Sequence, residues 1–222
     1  MKALLFSIGC GAAIALAHDV ISTKITWTRE VSRLVYARCI CCHRVGGAAF
    51  SLAAYRDARP WAKAIKEEVL ARRMPPWGAV RGFGDLAGEV SLSQEEMDTI
   101  AQWVEGGSPE GDPALLPKLP QTAAGSCFPS APAGTRIHVQ GGTTLTSDSV
   151  VLAIVPAGDV IDSSRITAMR PDGSAIPLLW LYQYRREFAH PFLLRERMLL
   201  KAGTVVESRP SVSFDLITSA SR

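Results

Sequence analysis

Two hydrophobic periods divide this chain. Between Thr28 and Val104 apolar residues recur at three- and four-residue steps, the period of a helix face. Thr28 is placed to cap a helix through Val31, Leu34 and Val35 towards Cys39. A second helix is predicted from Arg59-Pro60, with Pro60 in its first turn and Trp61, Ala64, Ile65, Val69 and Leu70 along it. It must stop near Met74, because Pro75 disfavours helix before it and Pro76 cannot continue the hydrogen-bond ladder. A third helix has the clearest start, a capping box of Ser93 and Glu96. Met97, Ile100, Ala101, Trp103 and Val104 form its buried face, and Gly106-Gly107 end it. Residues 78–88 are glycine-rich loop.

Beyond residue 107 the pattern breaks into Pro, Gly, Ala and Leu, a semi-rigid linker. The period then shortens to two. Residues 136–140, 150–155, 165–169, 177–184, 192–200, 204–207 and 212–218 read as strands, rich in β-branched and aromatic residues and separated by Gly and Pro turns. Many short strands of this kind predict a small antiparallel sandwich. The expected fold is multi-domain: an all-α domain over 24–112, a linker over 113–130 and an all-β sandwich-like domain over 131–222.

Residues 1–17 read as a secretory signal peptide. Lys2 is the positive start, residues 3–16 are nearly all apolar or small, and Ala15-Leu16-Ala17 resembles a cleavage site. Cleavage there discards Cys10 and starts the mature chain at His18. A lipoprotein anchored through Cys10 fits less well, because Ser7-Ile8-Gly9 is a poor match. The apolar run is short for a membrane span and no later stretch is longer, so no stable transmembrane span is expected after cleavage. The formal charge is +3, from 24 basic and 21 acidic residues, with no basic tract that would suit nucleic acid.

The candidate chemistry is concentrated in Cys39-Ile40-Cys41-Cys42-His43. Two cysteines at this spacing followed by histidine form the C-x-x-C-H pattern of covalent haem attachment. Cys39 and Cys42 would each form a thioether with one vinyl group, and His43 would be the proximal iron ligand. A redox-active C-x-x-C pair or half a zinc site are the alternatives. They want a strand-to-helix context or a second ligand pair, whereas Cys10, Cys127, His18, His138 and His190 are scattered. Met74, just before Pro75-Pro76-Trp77, is the candidate for the opposite axial position. Filling core space is the other use of such a methionine. Met97 lies on the apolar face of its helix and reads as core.

Residues 24–112 resemble the monohaem class I-like cytochrome c domains of exported bacterial proteins, often fused to β-domains related to copper type II monooxygenases. The matching stretches are Ala58-Arg59-Pro60-Trp61-Ala62-Lys63-Ala64-Ile65-Lys66, Arg73-Met74-Pro75-Pro76-Trp77, and Trp103-Val104-Glu105-Gly106-Gly107-Ser108-Pro109-Glu110-Gly111-Asp112. The resemblance implies an all-α cytochrome c-like domain with one covalent haem c, anchored by Cys39 and Cys42 and ligated by His43 and Met74. Trp61, Trp77 and Trp103 would wall the haem pocket or simply pack. The β-region is faintly similar to the copper-binding part of such fusions but departs from it, because His138 and His190 stand alone. A copper site assembled with Met198 or Met169 and a copper-free docking module both stay open. Cys41 and Cys127 are left over, either as a disulfide joining the two halves or as two unpaired thiols.

The expected function is an extracytoplasmic, periplasmic or otherwise exported c-type cytochrome that exchanges electrons with redox partner proteins through His/Met-ligated iron. This would make it a carrier rather than an enzyme. Two alternatives remain: a haem-bearing part of a periplasmic oxidoreductase, and a haem-based sensor in which a small ligand displaces Met74.

Overall fold

The computed structural model describes residues 24–121 and 126–220. The proposed signal segment, with Cys10 and His18, lies outside them. Helix starts earlier than the capping pattern suggests. Trp27–Val31 form a π-helical turn behind Thr26, whose amide donates to Glu30 Oε2 at 2.9 Å, and helix α1 follows at Ser32–Arg38. Thr28 is therefore inside the first turn and buried. The chain returns to satisfy the free amides there. Pro109 and Glu110 carbonyls accept from Trp27 and Thr28 at 3.0 and 2.9 Å, and Pro109 also accepts from the Trp103 indole at 3.0 Å.

The expected second helix is broken into pieces. Short helix α2 (Tyr55–Ala58) passes through a 3-10 turn at Arg59–Trp61 into α3 (Ala62–Leu70). It ends short of Met74, because Arg72 turns left-handed at φ +57° and its amide bonds back to the Val69 carbonyl at 3.0 Å. Helix α4 (Gln94–Glu105) starts as expected. Ser93 Oγ accepts from the Glu96 amide at 3.1 Å, and Glu96 Oε2 accepts from the Ser93 amide at 2.7 Å. Trp27, Val31, Val35, Leu52, Ala58, Ala62 and Trp103 form one small core here, and Val69, Leu92, Met97 and Ile100 form a second.

Eight strands make up the rest: β1 (Thr135–Gln140), β2 (Gly142–Thr144), β3 (Ser149–Pro156), β4 (Val160–Met169), β5 (Ala175–Tyr184), β6 (Phe192–Leu200), β7 (Val205–Arg209) and β8 (Ser213–Ala220). They form two antiparallel four-stranded sheets, ordered β1-β8-β3-β6 and β2-β7-β4-β5. Their inner faces share a core that includes Val139, Ile154, Ile166, Leu181, Phe192, Val206 and Phe214. The alternating segments became strands because one side of each could bury apolar residues in the shared core; on β3 the other side, with Val150, Leu152 and Val155, is apolar and half-buried as well.

The glycine-rich loop has a structural task. Residues 78–80 pair with β5, an edge strand: Val80 N–H donates to Trp180 O at 2.8 Å and Tyr182 N–H to Gly78 O at 3.0 Å. Residues 85–87 pair with β6, an edge of the other sheet: Ala87 N–H donates to Leu193 O at 2.8 Å and Arg195 N–H to Asp85 O at 2.9 Å. One strip thus covers an open edge of each sheet. Trp77 and Leu86 bring their side chains into the sandwich core.

The expectation of an all-α cytochrome c-like domain is therefore corrected. Strand makes up 31% of the described residues and helix 24%, and the helices before residue 106 are short. Trp77, Ala79, Leu86 and Val90, from the stretch between α3 and α4, pack into the β-core rather than among the helices. No helix among the described residues is long and apolar enough to cross a membrane.

Candidate functional site

The motif occupies the turn leaving α1. Cys42 and His43 amides both bond to the Cys39 carbonyl, at 3.1 and 2.9 Å, which winds Cys39, Cys42 and His43 around a single turn. Cys39 and Cys42 carry free thiols. Burial pushes the Cys39 thiol up to about 12, with Cys42 and Glu96 adding to the effect and Arg38 opposing it. Burial also raises Cys42, against the pull of Arg44. In the folded chain both are neutral thiols at pH 7. Arg38, the last residue of α1, is tied to α4: its Nε and Nη2 each donate to Glu96 Oε1 at 3.0 Å. Glu96 thus closes its own helix and fixes the start of the motif.

Residues 44–53 fold back beneath the motif. Ala49 N–H donates to Cys42 O at 3.1 Å, Leu52 N–H to His43 O at 2.9 Å, and Tyr36 OH to Ala53 O at 3.1 Å. Leu52 is buried in the helical core and anchors the loop. This brings the Phe50 carbonyl to 3.0 Å from His43 Nδ1. A carbonyl can only accept, so Nδ1 carries the proton and a neutral imidazole keeps its lone pair on Nε2. The Phe50 ring meets the imidazole edge-on at 5.0 Å and lies 4.7 Å from Trp61. Val45, Phe50 and Trp61 are all exposed.

Met74 is placed elsewhere. It lines a small cavity with Val69, Trp77, Leu92, Met97 and Tyr182, and none of Cys39, Cys42 or His43 lines that cavity. Met97 is buried core, as its helical position suggested, but it is also Met74's neighbour in this cavity. Cys39, Cys42 and His43 are brought together; Met74 is not shown joining them.

Cys41 is bonded to Cys127. The next residue, Phe128, stacks on His190 at 4.1 Å and 7°. The other ring neighbours of His190 are Phe192 at 4.6 Å, Trp77 at 4.9 Å and Tyr184 at 6.1 Å. His190 Nδ1 donates to the Phe188 carbonyl at 2.9 Å, and its Nε2 is buried without a protein partner. Burial lowers its pKa, against a smaller upward effect of the Phe188 bond. His138 is far from this arrangement in role: it sits exposed on β1, 2.8 Å from Asp215. Among the described residues no group of three or more His, Cys, Asp or Glu side chains converges on a common point.

Comparison with protein-family models, curated proteins and solved structures returns no match for this chain. The site therefore rests on its own residues. Sequence reasoning located the thiols and the imidazole but missed Phe50, whose contribution is a backbone carbonyl and so leaves no mark in residue type. It also missed the stack around His190, assembled from residues far apart in the chain.

Proposed function

We propose that this protein is an exported c-type haem protein that passes single electrons between partner proteins. The observation that carries the reading is the His43 imidazole, with Nδ1 committed to the Phe50 carbonyl and Nε2 left with its lone pair, on the same turn as two free thiols. This is the tautomer an iron ligand needs, and such an outer hydrogen bond raises its basicity. The Cys41–Cys127 bond supports the reading twice. It removes the third thiol from the motif, and it suits an oxidising compartment.

A bound haem would supply a one-electron ferric–ferrous couple. Cys39 and Cys42 would hold it as thioethers, and His43 would donate Nε2 to the metal. The exposed Phe50, Trp61 and Val45 offer apolar surface beside the imidazole. Met74 remains the proposed opposite ligand. A second reading, a sensor with an open sixth position, is favoured by one observation: the Met74 cavity contains none of the motif residues.

The test is export in a host competent for covalent haem attachment, followed by mass measurement and a pyridine haemochrome spectrum. One tetrapyrrole per chain is expected, lost in Cys39→Ala with Cys42→Ala. Secreted chain of unmodified mass would sink the proposal. Carbon monoxide separates the two readings. A carrier with Met74 bound excludes it and admits it after Met74→Ala, whereas a sensor binds it in both.

A further inference from the structure

A second feature owes nothing to the motif. A cleft of about 610 Å³ opens where the end of α3 faces the β5–β6 connection. Its volume falls within the roughly 300–1,000 Å³ of small-molecule sites. Four arginines line it, Arg72, Arg73, Arg185 and Arg186, against two carboxylates, Asp159 and Glu187.

The carboxylates are already engaged. Glu187 pairs with Arg185 at 2.9 Å, and Asp159 Oδ1 accepts the Arg186 backbone amide at 2.7 Å. Arg73 is clamped by Glu68 through two bonds of 2.8 Å. Those bonds hold the Glu68 carboxyl below its ordinary value against the desolvation of burial, and the charges of Arg73 and Arg185 lower it further. The Arg72 and Arg186 guanidiniums have no carboxylate partner among the described residues.

The backbone is held in unusual conformations here. Of the three non-glycine residues in the left-handed region among the described residues, two line this cleft: Arg72 at φ +57° and Gln183 at φ +46°. Arg72 takes the position after the helix cap where glycine is the ordinary residue, a conformation that strains a residue with a Cβ. A charged side chain kept at such a place, facing a second unpaired guanidinium across a cleft, fits a role in binding. Arginine also presents the planar fork that suits carboxylate and phosphate oxygens.

We propose that this cleft binds a small organic oxyanion, a carboxylate or phosphate ester, held by Arg72 and Arg186. Its apolar body lies against Phe188, over whose ring Arg185 already rests at 4.8 Å. The site does not depend on haem, and its test reads binding alone.

Titration calorimetry of the full chain with phenyl phosphate, benzoate and inorganic phosphate tests this. Saturable binding of phenyl phosphate or benzoate is expected, tighter than inorganic phosphate, and the better of the two identifies the head group. Arg72→Gly suits the left-handed backbone and Arg186→Gln changes an exposed turn, so both variants should fold. Each should weaken binding at least about tenfold, the scale of one lost charge-assisted bond. Arg136→Gln, on β1 beside Asp215, should leave it unchanged. The proposal is overturned if no probe saturates, if Arg72→Gly and Arg186→Gln bind as the parent does, or if Arg136→Gln weakens binding equally.

Discussion

At the residue scale, His190 is one of six described side chains with a buried polar atom that has no protein partner. It is buried among Phe128, Trp77 and Phe192, with one ring nitrogen bonded and the other alone. Its lowered pKa means that the unfolded chain takes up a proton at a higher pH than the folded chain does. Stability from this group is therefore complete above the unfolded imidazole value of about 6.5 and is lost as pH falls from there through the folded value. His190→Phe keeps a ring in the stack and removes the titration. Urea unfolding at pH about 7.5 and about 5 should show a smaller acid-induced loss in the variant than in the parent. An equal loss in both would place the acid sensitivity elsewhere. Residue type in the sequence identified Cys39, Cys42 and His43, because their chemistry is in their side chains. It could not identify Phe50 or the surroundings of His190, which depend on where the backbone turns.

At the scale of elements, legibility followed burial pattern. Strands β3, β5, β6 and β8 sit close to where alternation put them, because each has a face in a shared core. The Ser93 box marked α4 because its partners are three residues apart. Thr28 misled as a cap, because the Trp27 and Thr28 amides are satisfied by Pro109 and Glu110, some eighty residues on. Strand β2 is only three residues long and gave no period to read. The strip over residues 78–87 was unreadable for a similar reason: its hydrogen bonds go to β5 and β6. Gly84 shows the constraint. Its φ is +80°, and a Cβ would run into the Leu178 carbonyl. Gly84→Ala should cost about 1–3 kcal/mol in equilibrium unfolding, as strained backbone positions do. A variant as stable as the parent would mean that the strip is not tightly seated.

At the scale of the whole molecule, the Cys41–Cys127 bond closes a long loop, its ends separated by 86 positions in sequence. In the chain-entropy account, restraining the unfolded state over such a length contributes about 4.5 kcal/mol. Cys41→Ser combined with Cys127→Ser should lower the guanidinium unfolding free energy by about that much. It leaves Cys39, Cys42 and His43 in place, so on the proposed reading retention of haem in the same variant separates stability from attachment. The expectation of two successive domains missed that the halves share material, because an apolar loop residue such as Trp77 does not announce which core it will enter.

The strip over the two sheet edges bears on how this protein can be divided. Cutting the chain near residue 113 would leave β5 and β6 with bare amides and carbonyls, ready to recruit neighbouring molecules. The other fragment would be left holding an indole and a leucine with nothing to fill. Neither piece is a transplantable cassette, and any fusion or truncation that respects this molecule has to keep Trp77 and Leu194 on the same polypeptide.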